Sequence, residues 1–251
     1  MMPLQKSLRN FNWGAQVAPH PKHLKGKNMF NEKEFLPKTL DECVISDVLS
    51  KDILKQILDG KLPFPAFGKC GILLHGDYGT GKTTTACLLP ELIESSRGGV
   101  TANYEFYQCA QGMNGVSLIH NITNRTSLVS FNLSGLHYSV LDEVDNLTDA
   151  AQASLKAIMD SKHGIFILTT NDITKVDKGV KDRCHVIHML VAHSQHWLPL
   201  VKRLIGSTGM ECPPDSYLLP IITSCKGSGR EILTAGMQIA KQLKTQGITN
   251  D

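Results

Sequence analysis

The chain has 251 residues, of which 41% are hydrophobic and 20% charged, and it carries a formal net charge of +3. That is enough chain to bury a sizeable core, as one large domain or one large and one small. The charge is too mild to mark a nucleic-acid binder by itself, and no apolar run reaches the length of a membrane span. Seven cysteines, an odd number without a Cys-x-x-Cys pair, exclude a disulfide framework or a zinc ribbon. With no signal-peptide core at the N-terminus, the expected compartment is a reducing cytoplasm, in association with DNA.

Residues 1–29 read as a loosely ordered basic arm. Lys6, Arg9, Lys22, Lys25 and Lys27 come with no acidic residue, and Pro3, Pro19 and Pro21 interrupt any periodicity. Such an arm either touches a phosphate backbone or is a solvated tail. From Val48 to Leu58 apolar residues recur at helical spacing, and Gly60 supplies a stop.

A short apolar run, Ile72-Leu73-Leu74, then meets Gly76-x-x-x-x-Gly81-Lys82-Thr83. This is the strand, loop and helix-start pattern of a P-loop. Gly76, Gly79 and Gly81 let the backbone bend and bring N–H groups close to phosphate oxygens. The expected cradle is therefore Gly76, Asp77, Tyr78, Gly79, Thr80, Gly81, Lys82, Thr83 and Thr84. Lys82 would meet the β and γ phosphates, and the Thr83 hydroxyl would ligate Mg²⁺. The helix opening at Thr83 aims its positive end at the phosphates and runs to about Arg97.

Further strands are expected at 103–107, 137–141, 164–168 and 186–190, with helices at 116–122 and 149–159, the latter capped by Thr148. Strands alternating with helices predict an α/β fold with a largely parallel sheet flanked by helices and a ligand at the C-terminal strand edge. After His193 the strand signals stop. Helical patterns at 197–205, 218–224 and 230–243 predict a small α-helical lid, which divides the chain into a core at 30–193 and a lid at 194–251.

Leu141-Asp142-Glu143 ends an apolar strand in two carboxylates. Asp142 would hold the Mg²⁺ shared with Thr83, and Glu143 would deprotonate the attacking water. Asn171, at the end of the next strand, suits a water and a γ-phosphate oxygen. Arg183 suits charge on a transferring phosphoryl group, and Arg230, starting a lid helix, would reach back over the phosphates. His185, His188, His193 and His196 are close in sequence, but His185 and His188 face opposite ways on a strand and no ligand spacing completes a metal site.

These residues resemble the AAA+ ATPases, and among them the small subunits of clamp loaders of the replication factor C type. Phe35-Leu-Pro-Lys-Thr-Leu-Asp-Glu42 is similar to their N-terminal segment. Leu141 to Asp160 is similar to their Walker B strand and helix, Phe166 to Asn171 to sensor 1, Asp182-Arg183-Cys184 to the arginine-finger motif, and Gly229-Arg230 to sensor 2. The resemblance implies ATP hydrolysis with Mg²⁺ at subunit interfaces, a homo- or hetero-oligomer around DNA, and Arg183 acting on a neighbouring subunit. A sliding clamp is the implied further partner.

Asp77-Tyr78 stands where the family usually has two prolines, and Asp182 where it has a serine. The middle residues 105–135 match least and lie where partner contacts are expected. The family continues beyond the lid into a helical collar, whereas the sequence runs to Asp251. The alternative expectation is therefore an ATP-switched DNA-binding recruitment platform, of a phage or mobile element, that loads no clamp.

Overall fold

A computed structural model describes residues 35–161 and 163–245. The basic arm expected at 1–29 lies outside the described residues. Five strands, β1 (Gly71–His75), β2 (Tyr104–Gln108), β3 (His137–Asp142), β4 (Gly164–Thr170) and β5 (Cys184–His188), form one parallel sheet in the order β2-β3-β4-β1-β5.

The sheet is covered on both faces, which is why its central strands read as unbroken apolar runs. Alternation sends Ile72, Leu74, Val140, Ile165 and Ile167 to one face. There they meet Leu54 and Ile57 of α1 (Val48–Leu58) and Ala86, Leu89 and Ile93 of α2 (Lys82–Ser95). Leu73, Leu141, Phe166 and Leu168 point the other way. They pack on Leu118, Ile119 and Ile122 of α3 (Val116–Thr126) and on Ala151 and Leu155 of α4 (Asp149–Ile158). A short α5 (Lys178–Asp182) leads into β5.

Local chemistry sets the boundaries. Asp47 caps α1 by accepting from Ser50 N at 2.9 Å, and Gly60 follows the helix at φ +71°. Thr148 caps α4, accepting from Ala151 N at 3.2 Å. Among the strands, β5 is displaced from expectation, starting at Cys184 instead of Val186. The N–H groups of Cys70 and Gly71 both donate to Arg183 O, at 3.1 and 3.0 Å, so pairing begins at that point. β5 is an edge strand with an exposed Val186 and His188, so its apolar run marks only part of it.

Three helices complete the fold: α6 (Ser194–Gly206), α7 (Asp215–Ser224) and α8 (Gly229–Thr245). They share an apolar cluster built on Trp197, Val201, Leu204, Leu218, Ile232 and Ile239, joined by Phe35 and Ala192. α6 and α7 begin three residues before their apolar periodicity does, because polar first turns leave no apolar signal. Among the described residues no helix is long and apolar enough to cross a membrane.

Candidate nucleotide-binding site

The loop after β1 carries positive φ at Gly76 (+145°), Gly79 (+76°) and Gly81 (+89°). The requirement is strictest at Gly76 and Gly79. A Cβ on Gly76 would lie 2.3 Å from Met189 O, and one on Gly79 would lie 2.8 Å from Ser228 Oγ. Gly81 precedes α2 directly, and Thr80, almost fully buried, donates to Asp77 O at 2.9 Å. Asp77, Tyr78 and Thr84 are exposed.

Lys82 is buried, and its ammonium donates to Gly76 O at 2.8 Å and Asp77 O at 2.6 Å. One of its three N–H donors is left for a further acceptor. Burial pushes this ammonium below its ordinary pKa, and Arg230 adds to that against the opposing pull of Asp142, Asp77 and Asp145. Arg230, itself exposed, is thus brought within electrostatic reach of the P-loop lysine. The lid touches the loop directly: Gly229 N donates to Gly79 O at 2.8 Å. Trp197 packs against Gly229 so closely that a Cβ there would lie 2.6 Å from the indole.

The end of β3 meets the start of α2. The Thr83 hydroxyl donates to Asp142 Oδ1 at 2.7 Å, and the Thr169 hydroxyl donates to the same oxygen at 2.6 Å. Thr169 Oγ1 in turn accepts from Glu143 N at 3.0 Å. Glu143 is not in the strand, so strand alternation does not set its direction. It adopts a left-handed conformation, φ 60° and ψ 51°, which costs about 1–2 kcal/mol for a non-glycine residue. Such strain persists where the surroundings fix it, here the Thr169 contact and the short 3₁₀ turn Val144–Asn146. Asn146 Nδ2 lies 3.4 Å from Glu143 Oε2.

Asn171 follows β4. Because Thr170 pairs with His75, Asn171 sits beside the first residue of the P-loop. Its N–H approaches Asp145 Oδ1 at 3.4 Å, and the Thr170 hydroxyl donates to the same atom at 2.8 Å. The structure therefore gathers the P-loop, Lys82, Thr83, Asp142, Glu143, Asn171 and Arg230 at one edge of the sheet.

Arg183 is elsewhere. It immediately precedes β5, whose first residue, Cys184, pairs with Gly71 at the start of β1. By strand rise it stands on the order of 20 Å from the level of the P-loop. Its guanidinium is engaged by Asp160, through Nε at 2.8 Å and Nη2 at 3.1 Å. The four histidines do not gather: His185 packs edge-on against Phe64, His188 stacks on His75 at 4.5 Å, and His193 pairs with His196 at 6.4 Å.

Sequence reasoning missed Thr169, Asp145 and Ser228. Thr169 and Thr170 did carry a signal, since two hydroxyls ending an otherwise apolar buried strand need partners. The oxygen pair of Thr83 and Asp142, beside a buried ammonium and a glycine-lined loop, fits a nucleotide with a divalent metal, which takes hard oxygen donors.

A parallel sheet with this loop and a helical lid against it defines a P-loop nucleotide-binding protein. The chain belongs to the AAA domain family: the model of that domain, described as the dynein-related subfamily, matches residues 71–196. Replication factor C subunits are among its relatives. Subunit 3 of Blastobotrys adeninivorans is 30% identical over 61% of this chain and 43% of its own length. The small subunit of Picrophilus torridus is 30% identical over 64% and 48%, and subunit 2 of Schizosaccharomyces pombe is 28% identical over 83% and 61%. The chain thus spans about half the length of the first two, and its sequence is clamp-loader-like. In fold it is similar to the RuvB Holliday junction branch migration motor of Thermotoga maritima. The TM-score is 0.66 at 18% identity, over 86% of this chain and 68% of that one.

Proposed function

We propose that the chain is an ATP-hydrolysing subunit of the clamp-loader type, assembling as a homo- or hetero-oligomer around DNA with ATP and Mg²⁺ at each subunit interface. The observation that carries this reading is the hydrogen-bonded group Thr83–Asp142–Thr169 beside Lys82, with Glu143 fixed next to it and Arg183 at the far sheet edge.

In this reading the P-loop N–H groups and Lys82 bind the phosphates, and Thr83 and Asp142 would hold Mg²⁺. The metal supplies neutralisation of the β and γ phosphate charge. Glu143 takes the proton of the attacking water, whose oxygen bonds to the γ-phosphorus as the bridging oxygen leaves with ADP. Asn171 orients that water. Arg183 of a neighbouring copy meets the developing charge, and Arg230 couples the phosphates to the lid.

Support for a protein partner comes from the loop between α3 and β3. Ser130, Asn132 and Ser134 anchor it, to Leu136 O, to Asn103 and Leu136 O, and to Glu94. The alternate residues Val129, Phe131 and Leu133 are exposed to 87%, 88% and 74%. An exposed apolar ridge anchored in this way suits a protein surface such as a sliding clamp.

The test is mass by light scattering of Glu143→Gln with ATP, with and without primed DNA. A closed, ATP-dependent assembly that turns over about 10²–10⁴-fold more slowly than wild type supports the reading. A growing filament on DNA favours the recruitment platform, and unchanged turnover in Glu143→Gln contradicts the assignment.

A further inference from the structure

We infer that Asp160 and Lys69 form a buttress that presets Arg183 as an outward cation for the phosphates of a nucleotide held by a second copy of this chain. The inference rests on the proposed reading that Arg183 acts across an interface, and it names the residues that hold the finger in place.

Arg183 is fixed at both its backbone and its side chain. Lys69 Nζ donates to Asp182 O at 2.9 Å and to Cys184 O at 2.8 Å, the carbonyls on either side of it. Cys70 N and Gly71 N donate to its own carbonyl. The β1–β5 junction therefore holds the peptide from both directions before the side chain begins.

The guanidinium is then clamped by Asp160, just beyond α4, in a two-bond contact, and Nη1 donates to Gly179 O at 3.0 Å. An arginine has five N–H donors. Three are used, which leaves two for an acceptor outside the chain. Asp160 keeps the group firmly protonated, and the arginine side chain remains 24% exposed.

Lysines flank the same segment: Lys69, Lys178 and Lys181 line a shallow hollow at the start of β5 with Asp182 and His185, and Arg183 is outside that lining. An ion pair whose carboxylate is 63% exposed stabilises a fold little. What a planar two-bond clamp supplies is orientation, which a reaction across an interface needs most. Asp160 is on this account a positioning residue that acts only through Arg183.

The test is a double-mutant cycle on the full chain: wild type, Asp160→Ala, Arg183→Ala and the double variant, with ATP turnover and ATP-dependent mass measured for each. Asp160→Ala is expected to lower kcat about tenfold, with KM for ATP and the assembled mass unchanged. Added to Arg183→Ala it should lower turnover no further. Asp160→Glu, which keeps the charge, should recover most of the loss, and Lys69→Met should behave like Asp160→Ala. An Asp160→Ala variant as fast as wild type, or a further tenfold loss on the Arg183→Ala background, overturns the buttress. If Arg183→Ala itself turns over normally, the cross-interface reading fails and the buttress fails with it.

Discussion

The two edges of the sheet are built from the same strands but finished differently. At the C-terminal edge, β1, β3 and β4 end in groups that satisfy one another within the chain, as Asp142 does with Thr83 and Thr169. At the N-terminal edge, the segment entering β5 carries a guanidinium held through three of its nitrogens by Asp160 and Gly179 O, far from the glycine loop. On the proposed reading one edge holds the nucleotide and the other offers a cation, and a single copy keeps them on the order of 20 Å apart by strand rise. The separation teaches that each edge can be tied down by its own hydrogen bonds without touching the other.

The largest break in this comparison comes from the cation side. Arg183→Ala should leave nucleotide binding intact while turnover falls about 10³-fold. Fluorescent-nucleotide titration beside phosphate release checks it, and lost binding would place Arg183 in its own chain's site. A smaller effect sharpens the other edge. Thr169→Val keeps the shape of the side chain but removes both the donor to Asp142 and the acceptor for Glu143 N. The expectation is about 1–3 kcal/mol of stability lost in urea melts, with turnover reduced as Glu143 loses its backbone anchor.

Away from both edges, Glu94 tests the scaffold under the apolar ridge. Burial opposes its charge, but donors from Ser134 and Tyr138 outweigh it and hold the carboxyl below its ordinary 4.5. The unfolded chain therefore binds the proton more readily. The stabilisation is complete above the ordinary value and fades as pH falls through the lower folded one. Glu94→Gln should flatten the acid limb of the stability curve without changing the nucleotide edge, as thermal melts against pH will read. The smallest effect is expected at Tyr78, a residue 75% exposed. Tyr78→Ala should change nucleotide affinity by less than about threefold, because the loop binds through its backbone N–H groups.

How far the sequence reveals these edges depends on what encodes them. The P-loop is legible because bending the backbone at Gly76 and Gly79 demands glycine, and because Lys82 and Thr83 follow at fixed spacing. β4 lies between β1 and β3, and the start of α2 brings Thr83 within 2.7 Å of Asp142, so that pair follows from recognising the loop and the acidic strand end together. The need of Thr169 for a partner is legible, but that this partner is Asp142, and that Asp160 beyond α4 meets Arg183, is not. Thr169 is 27 residues from Asp142, and Asp160 is 23 from Arg183. Nothing in local periodicity records a contact that only packing creates. Glu143 was expected on the strand's terms, but the chain leaves the strand at Asp142 and turns left-handed, which alternation cannot signal for a non-glycine residue. β5 was misplaced by two residues because edge strands bury only part of their length.

The central claim is that one copy's nucleotide edge meets another copy's cation edge, and mixing two impaired variants tests it most directly. Arg183→Ala retains Glu143 but lacks the finger, whereas Glu143→Gln retains the finger but lacks the base. In an equimolar mixture, a site on an Arg183→Ala chain next to a Glu143→Gln chain has both groups. The account predicts turnover recovering to about a quarter of wild type, the fraction of such neighbours in a randomly mixed ring. A mixture no more active than the average of its two components would contradict it.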